Sequence, residues 1–146
     1  MAKEIDFPPV WLAGFAALGG VIGRVVPVVT PVNDELGAIL IFAGLTLMIV
    51  AAGQMLIART SVIPRRDPDA FVHGGVFRVS RNPIYLADAI LLAGLYIAWD
   101  ALIALPLVAV FAIVIQKRFI LDEEARLSRR FGDEYLEYTA RVRRWL

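Results

Sequence analysis

The run Leu36-Gly-Ala-Ile-Leu-Ile-Phe-Ala-Gly-Leu-Thr-Leu-Met-Ile-Val-Ala-Ala-Gly-Gln-Met-Leu-Ile-Ala58 carries no charge, and Gln54 is its most polar member. Crossing the hydrocarbon core of a bilayer takes roughly 20 apolar residues of helix, and in lipid the backbone must satisfy its own hydrogen bonds. The run therefore predicts a spanning helix over 36–58, and it sets the solvent in which the rest of the chain is read. Upstream, 10–29 is a second apolar run, entered through Pro8 and Pro9, with Pro27 near its far end and Arg24 its one charge. Arg24 either snorkels to the interface or belongs to a buried site. The flank at 1–9, with Lys3, Glu4 and Asp6, does not read as a cleaved leader, so this first helix is expected to be retained. Residues 30–35, with Pro31, Asn33 and Asp34, form a short turn between the two spans.

Downstream, residues 59–83 hold Pro64, Pro68, Gly74, Gly75, Pro83 and five arginines, a polar loop too long to be a plain connection. Two shorter apolar runs, 84–99 and 101–115, flank Asp100 and predict a tight helical hairpin. Apolar residues at helical spacing then continue from Lys117 to Phe131, which carries the fourth helix on into water. Gly132 stands where glycine commonly ends a helix. Asp133 can cap a last short helix holding Tyr135, Tyr138 and Val142. The expected fold is all-α: one polytopic membrane domain over 1–146 with four transmembrane helices and a helical tail at 117–146.

Composition agrees. The 146 residues are 59% hydrophobic with a mean hydropathy of +0.68, more apolar surface than a small soluble domain can cover. There is no cysteine and a single histidine, His73, which removes thiolate nucleophiles, disulfides and histidine or cysteine metal clusters. No metal and no nucleic-acid partner are expected. The net charge of +1 says little, but its placement does: five of the fifteen basic residues lie in 59–83 and eight in 117–146. The positive-inside rule puts the loop, the tail and both termini in the cytoplasm. Four spans also require both ends on one side.

The hairpin returns the chain to the same face, so the loop and the tail must be neighbours. Together they hold the groups capable of chemistry: His73, Gly74, Gly75, Arg78, Arg81, Asn82 and Tyr85 from the first, and Glu123, Glu124, Arg126, Tyr135 and Tyr138 from the second. On a helix at 100° per residue, Phe119, Ile120, Leu127 and Phe131 share a stripe, and Glu123 and Glu124 border it. The pair either bridges to nearby arginines or recognises a cation or a pair of hydroxyls. His73 beside Gly74 and Gly75 is a base near a close-approach turn, or a surface residue. Asp88, costly inside a span, faces a pocket or pairs with a loop arginine.

Three segments in order carry a resemblance. Gly75-Val-Phe-Arg-Val-Ser-Arg-Asn-Pro-Ile-Tyr85, then Glu123-Glu-Ala-Arg-Leu127 with Phe131-Gly-Asp-Glu-Tyr-Leu-Glu-Tyr138, and finally Arg141-Val-Arg-Arg-Trp145 resemble the isoprenylcysteine carboxyl methyltransferase family, above all its short bacterial members. Asn82 stands where the eukaryotic members have histidine. The resemblance implies a methyltransferase of a bacterial inner membrane that uses S-adenosylmethionine and a lipophilic acceptor: a prenylcysteine-like carboxylate, a lipid amine or a small thiol. It implies cofactor contacts from Arg81, Asn82, Pro83, Tyr85, Glu123 and Glu124; the residues themselves add Gly75, as a close-approach turn, and Tyr135, as an aromatic face for a cation, with Arg81, Asn82 and His73 the candidates nearest the chemistry. A non-catalytic membrane scaffold is the alternative from another class, and a small membrane reductase on a related scaffold is a third.

Overall fold

A computed structural model describes residues 6–146, so Lys3 and Glu4 of the N-terminal flank lie outside the described residues. Among those described there are helices, turns and loops and no strand. Helix α1, Pro8–Val25, begins on two prolines, whose missing N–H groups would be unpaired there in any case. It stops short of the expected residue 29. Val26 has left the helical region ahead of Pro27, whose ring disfavours a helical residue before it. Helix α2, Asn33–Ile57, places Asp34 and Glu35 in its first turn, where their charge complements the helix dipole.

Residues 58–82 carry only a short 3-10 turn, Gly75–Arg78, before α3, Pro83–Ala98. Asp100 then reverses the chain at φ 57, a left-handed position that aspartate tolerates. The corner is wider than the expected single residue. A 3-10 turn at Leu102–Ala104 follows, and α4, Pro106–Ile115, starts on proline rather than at 101. As expected, that helix does not stop at Gln116: it runs through a π-helical segment, Gln116–Ile120, into α5, Leu121–Arg141. Gly132 breaks α5 at φ 52, ψ −125, a backbone conformation essentially restricted to glycine.

Helices α2 and α3 pack antiparallel with their backbones close together. A Cβ on Gly44 would lie 3.0 Å from the Ala87 carbonyl oxygen, and one on Gly94 would lie 2.8 Å from the Ile41 nitrogen. Small residues permit such approach where lipid offers no hydrophobic drive between helices. Helix α1 lays Gly19 on the Tyr96 ring, and the Tyr96 hydroxyl donates to the Phe15 carbonyl at 2.7 Å. The core sits between α1, α3 and the α4–π stretch, where Leu92, Tyr96, Phe111, Ile115, Phe119 and Ile120 are fully buried.

The outside is apolar as well. Phe42 is 73% exposed and Ile49 71% exposed on α2, a surface that needs lipid rather than water against it. Three stretches, Pro8–Val25, Asn33–Ile57 and Leu102–Arg141, are long and apolar enough to cross a membrane, whereas α3, at 16 residues, is shorter. The helices run alternately between two ends. At one, Val28 N–H donates to the Asp100 carbonyl at 2.8 Å and the buried Asn33 amide donates to the Asp100 carboxylate at 2.7 Å, joining the two short connections. At the other end lie Asp6, the 58–82 loop and the C-terminal tail.

Candidate active site at the polar end

The loop and the tail meet, as the hairpin requires. Beyond α5 the chain turns extended at Val142 and lies along the residues that lead into α3. Arg81 N–H donates to the Arg143 carbonyl at 3.0 Å. The Asn82 side-chain amide donates to the Arg144 carbonyl at 3.0 Å, and the Ser80 hydroxyl reaches the same oxygen at 3.3 Å. The Trp145 indole N–H donates to the Gln116 side chain at 2.9 Å, pinning the chain end to the π segment. Further along the loop, Phe71 packs among Phe131, Tyr135 and Tyr138, and the Tyr138 hydroxyl donates to the Phe77 carbonyl at 2.6 Å.

Three side-chain pairs join the motif blocks. The Tyr85 hydroxyl, one turn into α3, donates to a Glu123 carboxylate oxygen at 2.6 Å. Glu124, next along α5, accepts two hydrogen bonds from the Arg144 guanidinium at 2.9 and 2.8 Å and lies 3.6 Å from Arg81. The adjacent carboxylates therefore do different work: Glu124 fastens the tail and holds Arg81, while Glu123 meets Tyr85. Burial raises the Glu123 carboxyl above its ordinary value, against the Tyr85 hydrogen bond that lowers it. Burial also pushes the Tyr135 hydroxyl up to about 12, and the bond to Glu124 raises Arg144.

Beside these groups lies a cavity of about 400 Å³ between α1, α2, α3, α5 and the loop, a size usual for small-molecule sites. Arg81, Asn82, Pro83, Tyr85, Glu123 and Tyr135 all border it. Glu124, Gly75 and His73 do not. Gly75 takes φ 55, and the Gln54 side chain lies where its Cβ would be; Gln54 also accepts from the Val76 N–H at 3.2 Å. His73 is exposed and leans on the Phe71 ring at 5.3 Å. Of the two readings of Asp88, the cavity is the one observed: it is 5% exposed, borders the cavity and forms no ion pair among the described residues.

Two further arginines, Arg126 from the tail's expected set and Arg144 beyond it, take part. Arg126 borders the cavity, and its Nη1, like Arg81 Nε, is buried with no hydrogen-bond partner among the described residues. Its position one turn after Glu123 is readable from helical spacing; that its guanidinium turns inward is not. Arg144 has only its place in a basic chain end. A third group, Asp6, ties α1 to the loop and to the π segment through Arg65 at 2.6 Å and Arg118 at 3.0 Å. The Trp11 indole N–H, ahead of those arginines, holds the Asp6 carboxyl below its ordinary value.

Chemically, the wall offers free guanidinium donors for an anion, a carboxylate and aromatic faces for a cation, and an apolar interior. The chain matches the family model for phospholipid methyltransferases over residues 32–134. It is also similar to an uncharacterized protein of Haemophilus influenzae, 49% identical over 39 residues, which make up 27% of this chain and 62% of that protein. No solved structure matches.

Proposed function

The chain belongs to the phospholipid methyltransferase family, and from that premise we propose that it is a membrane enzyme that takes its methyl group from S-adenosylmethionine and gives it to a lipophilic acceptor. The observation that carries this reading is the Tyr85–Glu123 hydrogen bond in the cavity wall, because it brings the two motif segments to one point. The residues fit the donor. The partnerless Arg81 Nε and Arg126 Nη1 suit its carboxylate, and Glu123 with the Tyr85 and Tyr135 rings suits its cationic groups.

When bound, the cofactor supplies a methyl carbon already activated by a sulfonium, so the protein's part is placement and exclusion of water. In this reading Arg81 and Arg126 hold the carboxylate end and Glu123 holds the charged end toward α3. Glu124 acts through others, by fixing Arg81 and Arg144. Asn82 holds the tail against the loop, Pro83 starts α3 at the register that aims Tyr85 inward, and Gly75 lets the loop turn over Gln54. His73, on the surface, is given no step. The loop and tail would face the cytoplasm, where the donor is made.

Calorimetric titration with S-adenosylmethionine tests the assignment. Wild-type protein in detergent should bind it, and both Glu123→Ala and Glu124→Ala should weaken binding at least about tenfold, the loss of one charge-assisted hydrogen bond. Unchanged affinity in Glu123→Ala would remove the assignment. Incubation with isotopically labelled donor and a panel of lipophilic acceptors, read by mass, tests the activity.

A further inference from the structure

Asp88 is the least expected group in the molecule. It sits inside α3, is 95% removed from solvent, borders the cavity and has no cationic partner among the described residues. A carboxylate there is costly unless something neutralises it. Its surroundings are ordered by depth. Tyr85, Asp88 and Leu91 follow one another along a single face of α3, each about 4.5 Å deeper than the last. The packing of Gly19 on Tyr96 sets Leu12 of α1 at the level of Ala89, and that of Gly44 on Leu91 sets Met48 of α2 at the level of Ala87. Both line the cavity. The free arginine donors lie at the other extreme, on the loop and α5.

From the polar end inward the cavity therefore presents guanidinium groups, then the Tyr85–Glu123 pair, then Asp88 flanked at its own level by Leu12 and Met48, with Leu91 one turn deeper. Resting on the methyltransferase reading above, we infer that Asp88 receives the reacting head of the acceptor, and that this acceptor is an amine borne directly on an apolar body. With its apolar body against Leu12, Met48 and Leu91, the nitrogen comes to the Asp88 carboxylate, directly below the place assigned to the donor. A phospholipid amine fits this order badly. Its phosphate, lying between tail and nitrogen, would fall among the apolar side chains around Asp88, deeper than the Arg81 and Arg126 donors. A carboxylate acceptor would meet two acidic side chains.

The step balances without a further reactant. The ammonium of the arriving acceptor gives a proton to the Asp88 carboxylate, which frees the nitrogen lone pair. The nitrogen forms its bond to the methyl carbon as the carbon–sulfur bond breaks, and that electron pair stays on sulfur, leaving a neutral thioether. The product is the methylated ammonium, and Asp88 returns its proton to water.

The test uses the full chain in phosphatidylcholine vesicles with labelled S-adenosylmethionine, offered dodecylamine, phosphatidylethanolamine or an S-prenylated cysteine. Dodecylamine should be methylated at the highest kcat/KM, and Asp88→Asn should lower that value about 100-fold, the scale of losing one desolvated charge pair. Donor affinity in the variant should stay within about twofold, since Asp88 lies below the groups assigned to the donor. Should Asp88→Asn fail to fold, wild-type protein still decides: dodecyltrimethylammonium should compete with the acceptor and laurate should not. Preference for phosphatidylethanolamine or the prenylcysteine, or equal inhibition by laurate, would overturn the inference while leaving the methyltransferase reading intact. Absence of donor binding in calorimetry would overturn both.

Discussion

Two adjacent carboxylates on α5 divide the labour. Glu124 is spent on Arg144 and Arg81, while Glu123 faces the cavity with a single hydroxyl donor, Tyr85. Burial raises the Glu123 carboxyl above its ordinary value of 4.5, so the folded state binds that proton more tightly than the unfolded one. The sign follows: its stabilising contribution is complete below about pH 4.5 and is lost as pH rises through the higher folded value. Glu123→Gln removes this dependence. Thermal unfolding should show the variant gaining on wild type as pH rises above about 4.5, even as donor binding falls. A gain toward acid pH instead would mean that burial does not dominate at Glu123. Helical spacing alone placed both glutamates at the edge of the apolar stripe, and Phe119 and Ile120 are buried as that stripe requires. Which glutamate would face Tyr85 was not legible, because the partners come from chain segments that only the packed helices bring together.

At the scale of elements, glycine decides the architecture. Gly44 lets α2 approach the backbone of α3, and Gly44→Val should destabilise the protein by about 1–3 kcal/mol through overpacking. A Cβ on Gly53, in the same helix, meets nothing within 4 Å, so Gly53→Ala should instead stabilise it by about 0.5–1 kcal/mol. Equal effects in thermal denaturation would show that backbone entropy, rather than close approach, governs α2. At Gly132 space is free and the backbone is the constraint, so Gly132→Ala should cost about 1–3 kcal/mol. It should also expose the tail to proteolysis before the rest of the chain. Its place as a break was readable from the sequence. The π segment at Gln116–Ile120 was not, since an apolar period cannot register one wider turn within a continuous helix. Nor was the wide corner after Asp100, where Pro106 rather than hydropathy sets the start of α4.

At the scale of the molecule, four helices alternate between two ends, and the proposed four-span topology puts Pro31 on one side of a membrane and both Asp69 and Glu137 on the other. The chain has no cysteine, so single substitutions Pro31→Cys, Asp69→Cys and Glu137→Cys can each be labelled with an impermeant thiol reagent in intact cells. Only Pro31→Cys should react from outside; labelling of Asp69→Cys from outside would reverse the orientation, and labelling of all three would break the span count. Hydropathy made the apolar helices legible, because transfer into lipid depends on composition and length and needs no partner. Charge placement made the polar end legible in the same way, and three spaced motifs carried the likeness to membrane methyltransferases. What only the tertiary structure decided is which polar groups are used up on each other and which are left to meet a ligand. Arg144 takes Glu124, Tyr85 takes Glu123, and Asp88 and parts of Arg81 and Arg126 remain without a partner among the described residues. That outcome depends on hydrogen-bond geometry within a few ångströms across distant segments, a quantity to which no local pattern in the chain responds.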